Sequence, residues 1–176
     1  MNRRKFLVKG IAGAGIIAVG GGYWWLNSGK GVENVSINGI TKYLNQLDLT
    51  KLSSSGSWSV NKIFSHLAQS IEYSMSGYPE QKSDVFKNSI GSLAFKVFSQ
   101  RGEMTHGLDE KILGAPVIKE VTNEEAFERL IQSLRYFEGF HGQLKPHFAY
   151  GDLTKEEYTL AHIMHIENHL IEISQS

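Results

Sequence analysis

The chain contains no cysteine. Disulfides, thiolate nucleophiles, iron-sulfur clusters, cysteine-ligated zinc and a lipidated cysteine are therefore excluded. The sequence also has no glycine-rich phosphate loop and no GxSxG nucleophile elbow, and no close carboxylate pair stands out in it. Any nucleophile must be an oxygen, a nitrogen or a metal-bound water.

An excess of charge is missing as well, because 18 lysines and arginines balance 18 aspartates and glutamates. The charged residues that precede Lys30 are all basic, which leaves the remainder of the chain mildly acidic. The chain as a whole is balanced in charge and its larger part is mildly acidic, so neither has the basic field that attracts nucleic acid, and no nucleic-acid partner is expected. The residues after the first 30 are enough for one domain with a single core.

Residues 1–30 are predicted to be a twin-arginine signal or an N-terminal anchor. A basic head, Arg3 to Lys5, is followed after Lys9 by an uncharged stretch rich in glycine, alanine and isoleucine. Residues 3–7, Arg-Arg-Lys-Phe-Leu, resemble the twin-arginine export signal, which is read by a receptor that passes folded proteins. This resemblance implies a periplasmic protein with the twin-arginine export machinery as a partner. A Sec signal is the alternative, and an anchor in the inner membrane stays open because no clear cleavage site follows.

Five stretches of the remaining chain have apolar residues at helical spacing. They cover about 37–47, 58–75 and 86–102, and the regions after Thr122 and Thr154. Capping boxes, Thr122 with Glu125 and Thr154 with Glu157, begin the last two helices. Ser36 can cap the start of the first helix, and Gly77 and Gly102 suit the ends of the second and third. Strand-like alternation is nearly missing. The sequence predicts an all-α four-helix bundle over residues 36–176, with a short extra N-terminal helix.

Two features lie outside the regular helical stripes. A glycine-rich loop over about 101–121 is long enough to cover a site, and His106 within it can reach the mouth of such a site. His141 and His147 flank Pro146 before the last helix and are predicted to be surface residues. The third helix is expected to pack through a stripe that contains Phe86, Ile90, Leu93 and Val97.

Three of the seven histidines occur within eight residues of the last helix. His162, His165 and His169 share one face beside the isoleucine stripe, and Tyr158 and Glu172 extend that face by one turn at each end. Imidazoles four residues apart can bind one zinc, nickel or iron ion, so this face predicts a divalent metal site. The alternative is a polar stripe at the edge of the core. His66 lies at the edge of an early apolar stripe, where a lone histidine is more often a hydrogen-bonded boundary residue than a metal ligand.

Two segments of the chain are similar to the DinB-like, or YfiT-like, four-helix superfamily: residues 58–79, which contain His66, and residues 162–170, which contain the histidine cluster. In that superfamily a histidine of an early helix and two histidines four apart on the last helix hold a metal. The resemblance therefore implies His66, His165 and His169 as ligands, with His162 beside the site or facing a substrate. The triad His66, His162 and His165 stays open. Many members follow the last histidine with Arg-Gly-Gln, whereas this chain continues Leu-Ile-Glu, so their substrate contacts are not transferred.

Three imidazoles leave a coordination position open, which is the arrangement of catalytic metal sites. The first functional hypothesis is a metal-dependent hydrolase or transferase acting on a small molecule, with His162, Tyr158 and Glu172 as candidate proton carriers. Some superfamily members resemble transferases that use low-molecular-weight thiols. Such thiols are expected in the cytoplasm, so export argues against this chemistry. The alternatives are a non-enzymatic periplasmic module that binds a metal or ligand, and a helical interaction domain without metal. A homodimer is compatible with all three.

Overall fold

The computed structural model describes residues 36–175 of the chain. The predicted signal or anchor at residues 1–30 lies outside them. In chain order the elements are α1 (Ile37–Leu44), a 3₁₀ turn (Leu49–Lys51), β1 (Leu52–Ser54), α2 (Val60–Ser76), α3 (Asp84–Phe86), a π-helical turn (Lys87–Gly91), α4 (Ser92–Arg101), α5 (Asn123–Glu138), α6 (Lys155–Leu170) and β2 (Ile173–Gln175). None of the helices in the described part is long and apolar enough to cross a membrane. The chain is mostly helical with one small sheet, which confirms the predicted all-α bundle.

The helix ends follow the local signals in the sequence. The Ser36 hydroxyl accepts a hydrogen bond from the Gly39 N–H at the start of α1. Both capping boxes are formed, with Thr122 and Glu125 at α5 and with Thr154 and Glu157 at α6. Such caps satisfy N–H groups that have no partner inside the helix, and each contributes roughly 1 kcal/mol. The last two helices therefore begin at positions fixed by their own sequence.

The core lies between α2, α5 and α6, and α1 packs over one end of it. Its fully buried side chains include Leu44 from α1, Phe64 and Leu67 from α2, Leu134 from α5 and Ile166 from α6. Each contributes roughly 1.5–3 kcal/mol by leaving water. This packing fixes α2 beside α6, and these are the two helices that carry the predicted metal ligands.

The third helix departs from its predicted packing. Ile90 and Leu93, expected to face the core, are 64% and 62% exposed, while Gly91 and Phe95 are buried instead. The cause is the π-helical turn, since a wider turn changes the phase of the residues that follow it. A Cβ atom at Gly91 would overlap the carbonyl oxygen of Ala149, so glycine is required for this close approach. A second apolar cluster, which includes Phe95, joins α4 to the far side of α6.

The last helix ends earlier than its apolar pattern suggests. α6 stops at Leu170, and Ile173, predicted to continue the helical stripe, begins β2. β2 pairs with β1 in antiparallel register, with Leu52 opposite Gln175 and the hydroxyls of Ser53 and Ser174 2.9 Å apart. The backbone of β2 therefore forms hydrogen bonds with β1 in place of the hydrogen bonds that a further turn of α6 would have made. The pairing ties the end of α6 to the segment that leads into α2.

Candidate metal centre

Three histidine rings meet between α2 and the last two turns of α6. His66, His165 and His169 have ring centroids 5.0 Å apart in each pair. The Nε2 atoms of His66 and His165 are 3.2 Å apart, and one ligand atom from each of the three residues lies within 4.8 Å of the others. His66 and His169 are 3% and 0% exposed, and His165 is half-buried. These three close histidines could bind a metal ion.

The hydrogen bonding of the cluster fits a metal ion better than a self-contained polar cluster. Both ring nitrogens of His169 and the Nδ1 atom of His66 are buried, and none has a hydrogen-bond partner within residues 36–175. A buried polar atom without a partner costs about 1–3 kcal/mol. Ligand nitrogens in a tetrahedral zinc site are about 3.3 Å apart, from bonds of about 2.0 Å. The pair at 3.2 Å already has this spacing.

Burial keeps the three rings in the form that a metal requires. Removal from water lowers the pKa of His66 to about 4 and the pKa of His169 to about 3. The pKa of His165 also lies well below its usual value, first because of burial and then because the other histidines are close. All three rings are therefore neutral at pH 7, and a neutral imidazole offers a lone pair to zinc, nickel or iron.

An indole ring forms one wall of the cluster. Trp58, just before α2, is buried, contacts His66 edge to face at 5.0 Å and stacks on His169 at 6.2 Å. The ammonium group of Lys62 lies 4.6 Å from the centre of the indole ring. Trp58 therefore separates the cluster from solvent on this side and limits the orientations of two of its imidazoles.

A cavity of about 280 Å³ opens on another side of the cluster. Its walls come from α2 and α6, from the loop between α4 and α5 and from the turn before α6. The cluster contributes His66 and His165, the loop contributes Met104 and His106, and the turn contributes His147 and Tyr150. The predicted covering role of the loop thus agrees with its position, and a small molecule in the cavity would contact the histidine cluster.

The sequence model of a protein family of unknown function, DUF1569, matches residues 33–176. The chain belongs to the DUF1569 family. No curated protein and no solved structure matches it.

The other predicted site residues of this DUF1569 chain are not grouped with the three histidines. His162 lines the cavity, and its Nε2 atom is 3.2 Å from the Ser74 hydroxyl, which itself donates to the Ile71 carbonyl. The Ser74 oxygen therefore accepts, and Nε2 of His162 carries the proton. The rival triad of His66, His162 and His165 is not the set that the described structure brings together.

Tyr158 lies on α6 against His162, one turn before it as the spacing predicts, whereas Glu172 departs from its predicted position. Tyr158 is fully buried against His162, and its hydroxyl donates to the carbonyl of Lys145 at 2.7 Å. Burial raises the pKa of Tyr158 far above its usual value. Glu172 lies beyond the end of α6, with its side chain against Gly56, so it does not extend the histidine face by a helical turn.

Two histidines outside the predicted ligand set belong to the surroundings of the site. The prediction that His147 is a surface residue is wrong, because its ring is buried and lines the cavity. Its Nδ1 atom accepts hydrogen bonds of 3.2 Å from the N–H groups of both Ala149 and Tyr150. His141 is exposed, as predicted. His106 lies with its ring 4.9 Å from His165 and 5.2 Å from His169. Neither His106 nor His147 stands on a periodic stripe that could have signalled its burial.

Proposed function

We propose that this DUF1569 protein binds a divalent ion, zinc, nickel or iron, through His66, His165 and His169, and that it is a metal-dependent hydrolase or transferase acting on a small molecule. The observation that carries the proposal is the convergence of three neutral imidazoles, two of them buried and one half-buried, beside a cavity of about 280 Å³. A divalent ion on three protein ligands polarises a bound carbonyl or acidifies a bound water. Similarity of the two histidine segments to the DinB-like superfamily supports the same ligand set.

The chain's own side chains would orient and shield a substrate in this cavity. Trp58 excludes water from one side of the cluster. Of the three candidate proton carriers, His162 lines the cavity, while the Tyr158 hydroxyl is engaged with a backbone carbonyl and Glu172 packs against Gly56. His162 is therefore the candidate of these three that can contact a substrate. With its Nε2 proton directed to Ser74, it offers Nδ1 as a hydrogen-bond acceptor.

The proposed location is the periplasm, reached through the twin-arginine machinery, with an anchor in the inner membrane as the alternative. Support comes from residues 3–7, whose sequence resembles that export signal. Export of a folded chain allows the metal to be loaded before translocation. Replacing Arg3 and Arg4 by lysine should retain the protein in the cytoplasmic fraction. Unchanged export, or a metal acquired only after export, would contradict this part of the proposal.

Metal analysis of the purified protein tests the centre directly. We expect about one metal ion per chain in the wild type and a large loss in the double variant His165→Ala, His169→Ala. The matched control is His141→Ala, because His141 is exposed and outside the cluster. Circular dichroism checks that the double variant retains its helices. Equal metal content in the wild type and the double variant would exclude this centre, and a wild type without metal would favour a helical interaction domain.

A specific observation favours a second function, a non-enzymatic module that binds a metal or a ligand. Burial lowers the pKa of His147 and of His162 to about 3, and raises the pKa of Tyr150 to about 12. These cavity side chains therefore do not exchange protons readily near pH 7, whereas general acids and bases work best with a pKa near the working pH. Tight metal binding without turnover of ester, amide or thiol substrates would identify a binding module. Metal-dependent turnover would identify an enzyme.

A further inference from the structure

We propose that His106 is a fourth nitrogen ligand of the metal centre, supplied by the loop between α4 and α5. The inference rests on the proposed function, because it extends the site formed by His66, His165 and His169. Those three ligands belong to helices. His106 would add a ligand from a segment without regular secondary structure, residues 103–121.

The first support is position. The His106 ring lies 4.9 Å from the His165 ring and 5.2 Å from the His169 ring, measured between centroids. The three helical histidines are separated from one another by 5.0 Å on the same measure. His106 is thus as close to two of the predicted ligands as these are to each other.

The second support is the tautomer of the ring. The Nδ1 atom of His106 is 2.8 Å from the carbonyl oxygen of Gly107. A carbonyl can only accept, so Nδ1 carries the proton and Nε2 keeps its lone pair. Metal-binding histidines usually have this arrangement, in which one nitrogen donates to a carbonyl or carboxylate and the other binds the ion.

The third support is the Nε2 atom itself. It is buried and has no hydrogen-bond partner in the described part of the chain. The two buried cavity histidines outside the cluster differ in this respect, since His147 accepts two backbone N–H groups and His162 is bonded to Ser74. A histidine that merely formed a cavity wall would leave this buried acceptor unsatisfied, which destabilises the folded chain. A metal bond to Nε2 removes that destabilisation.

A ligand from the loop has a consequence for access to the ion. Four imidazoles enclose an ion on four sides, so a substrate that reaches it must displace His106 or bind as a fifth ligand. Met104 and His106 form part of the cavity wall beside the cluster. If His106 moves away from the ion, the metal loses one ligand and the cavity wall changes shape at the same time.

Cobalt(II) bound to the full-length protein tests the inference, because tetrahedral cobalt absorbs visible light much more strongly than five- or six-coordinate cobalt. Relative to the wild type, His106→Gly should change the visible spectrum and weaken cobalt binding by at least about tenfold. Added imidazole should restore the spectrum by occupying the vacated position. The matched control is Lys111→Ala. Lys111 is an exposed residue of the same loop that lines the cavity but has no imidazole to bind the metal.

The outcomes separate the two proposals. If His106→Gly has the spectrum and cobalt affinity of the wild type, or if imidazole has no effect on an altered spectrum, His106 is not a ligand and the three-histidine centre stands. If the wild type binds no cobalt, or if the His165→Ala, His169→Ala variant binds it equally well, the proposed centre and this inference both fail. Retained helical circular dichroism shows that each variant is folded.

Discussion

The buried histidines near the cavity predict a marked loss of stability in mild acid. His147 and His162 each have a pKa lowered by burial from 6.5 to about 3. As the pH falls below 6.5, the unfolded chain binds protons that the folded chain does not, so the free energy of unfolding decreases. The stability is fully present above the unfolded pKa and is lost progressively toward the folded pKa.

The size of the effect follows from these values. Between pH 7 and pH 5, a histidine with an unfolded pKa of 6.5 and a folded pKa of about 3 loses roughly 2 kcal/mol of stability. His147 and His162 together therefore account for about 4 kcal/mol, out of a total that is typically about 5–15 kcal/mol for a domain. In metal-free protein, the lowered pKa values of His66 and His169 act in the same direction.

Urea unfolding in EDTA, followed by circular dichroism at pH 7 and pH 5, measures this loss. His162→Gln should reduce the difference between the two pH values by about 2 kcal/mol, whatever its effect on stability at pH 7. His141→Gln should leave the difference unchanged, because His141 is exposed. A wild type that loses less than about 1 kcal/mol, or a His162→Gln variant with the wild-type difference, would refute the reasoning.

Two further predictions concern the packing around the site. Gly91→Ala should lower the free energy of unfolding by about 1–3 kcal/mol in urea, because a Cβ atom there meets the Ala149 carbonyl; equal or greater stability would show that the contact can relax without cost. Added nickel(II) should quench wild-type tryptophan fluorescence, and Trp58→Phe should remove most of that response, because Trp58 contacts the rings of His66 and His169. The same quenching in the variant would place the bound ion elsewhere.

Local rules in the sequence were enough to predict the helical architecture. Capping residues and apolar stripes act over a few neighbouring positions, so the starts of α5 and α6 could be read from Thr122 and Thr154. The end of α6 could not be predicted in this way, because no glycine or proline follows Leu170. There the helix gives way to pairing between β1 and β2, which depends on residues more than a hundred positions apart.

The candidate site was predictable to the extent that it is periodic. The four-residue spacing of His165 and His169 placed both on one face of a helix, while adding His66 required the family resemblance. His106 and His147 stand on irregular segments, where no repeat indicates which side chains are buried. Their positions depend on tertiary packing with residues distant in sequence, since the His147 ring contacts Tyr78 and the His106 ring contacts His165.

The candidate ligands come from two kinds of segment, helices and a loop, and this suggests different roles for them: the helical ligands would provide metal affinity, and the loop ligand would allow exchange with a substrate. His66, His165 and His169 stand on helices fixed by the core, and the β1–β2 pair restrains the chain on either side of them. Ligands on such elements lose little freedom when an ion binds, which favours tight binding. His106 is oriented by a hydrogen bond to a neighbouring carbonyl within its own loop. Its release would disturb no helix, so the loop ligand is the one that a substrate could displace at the lowest cost.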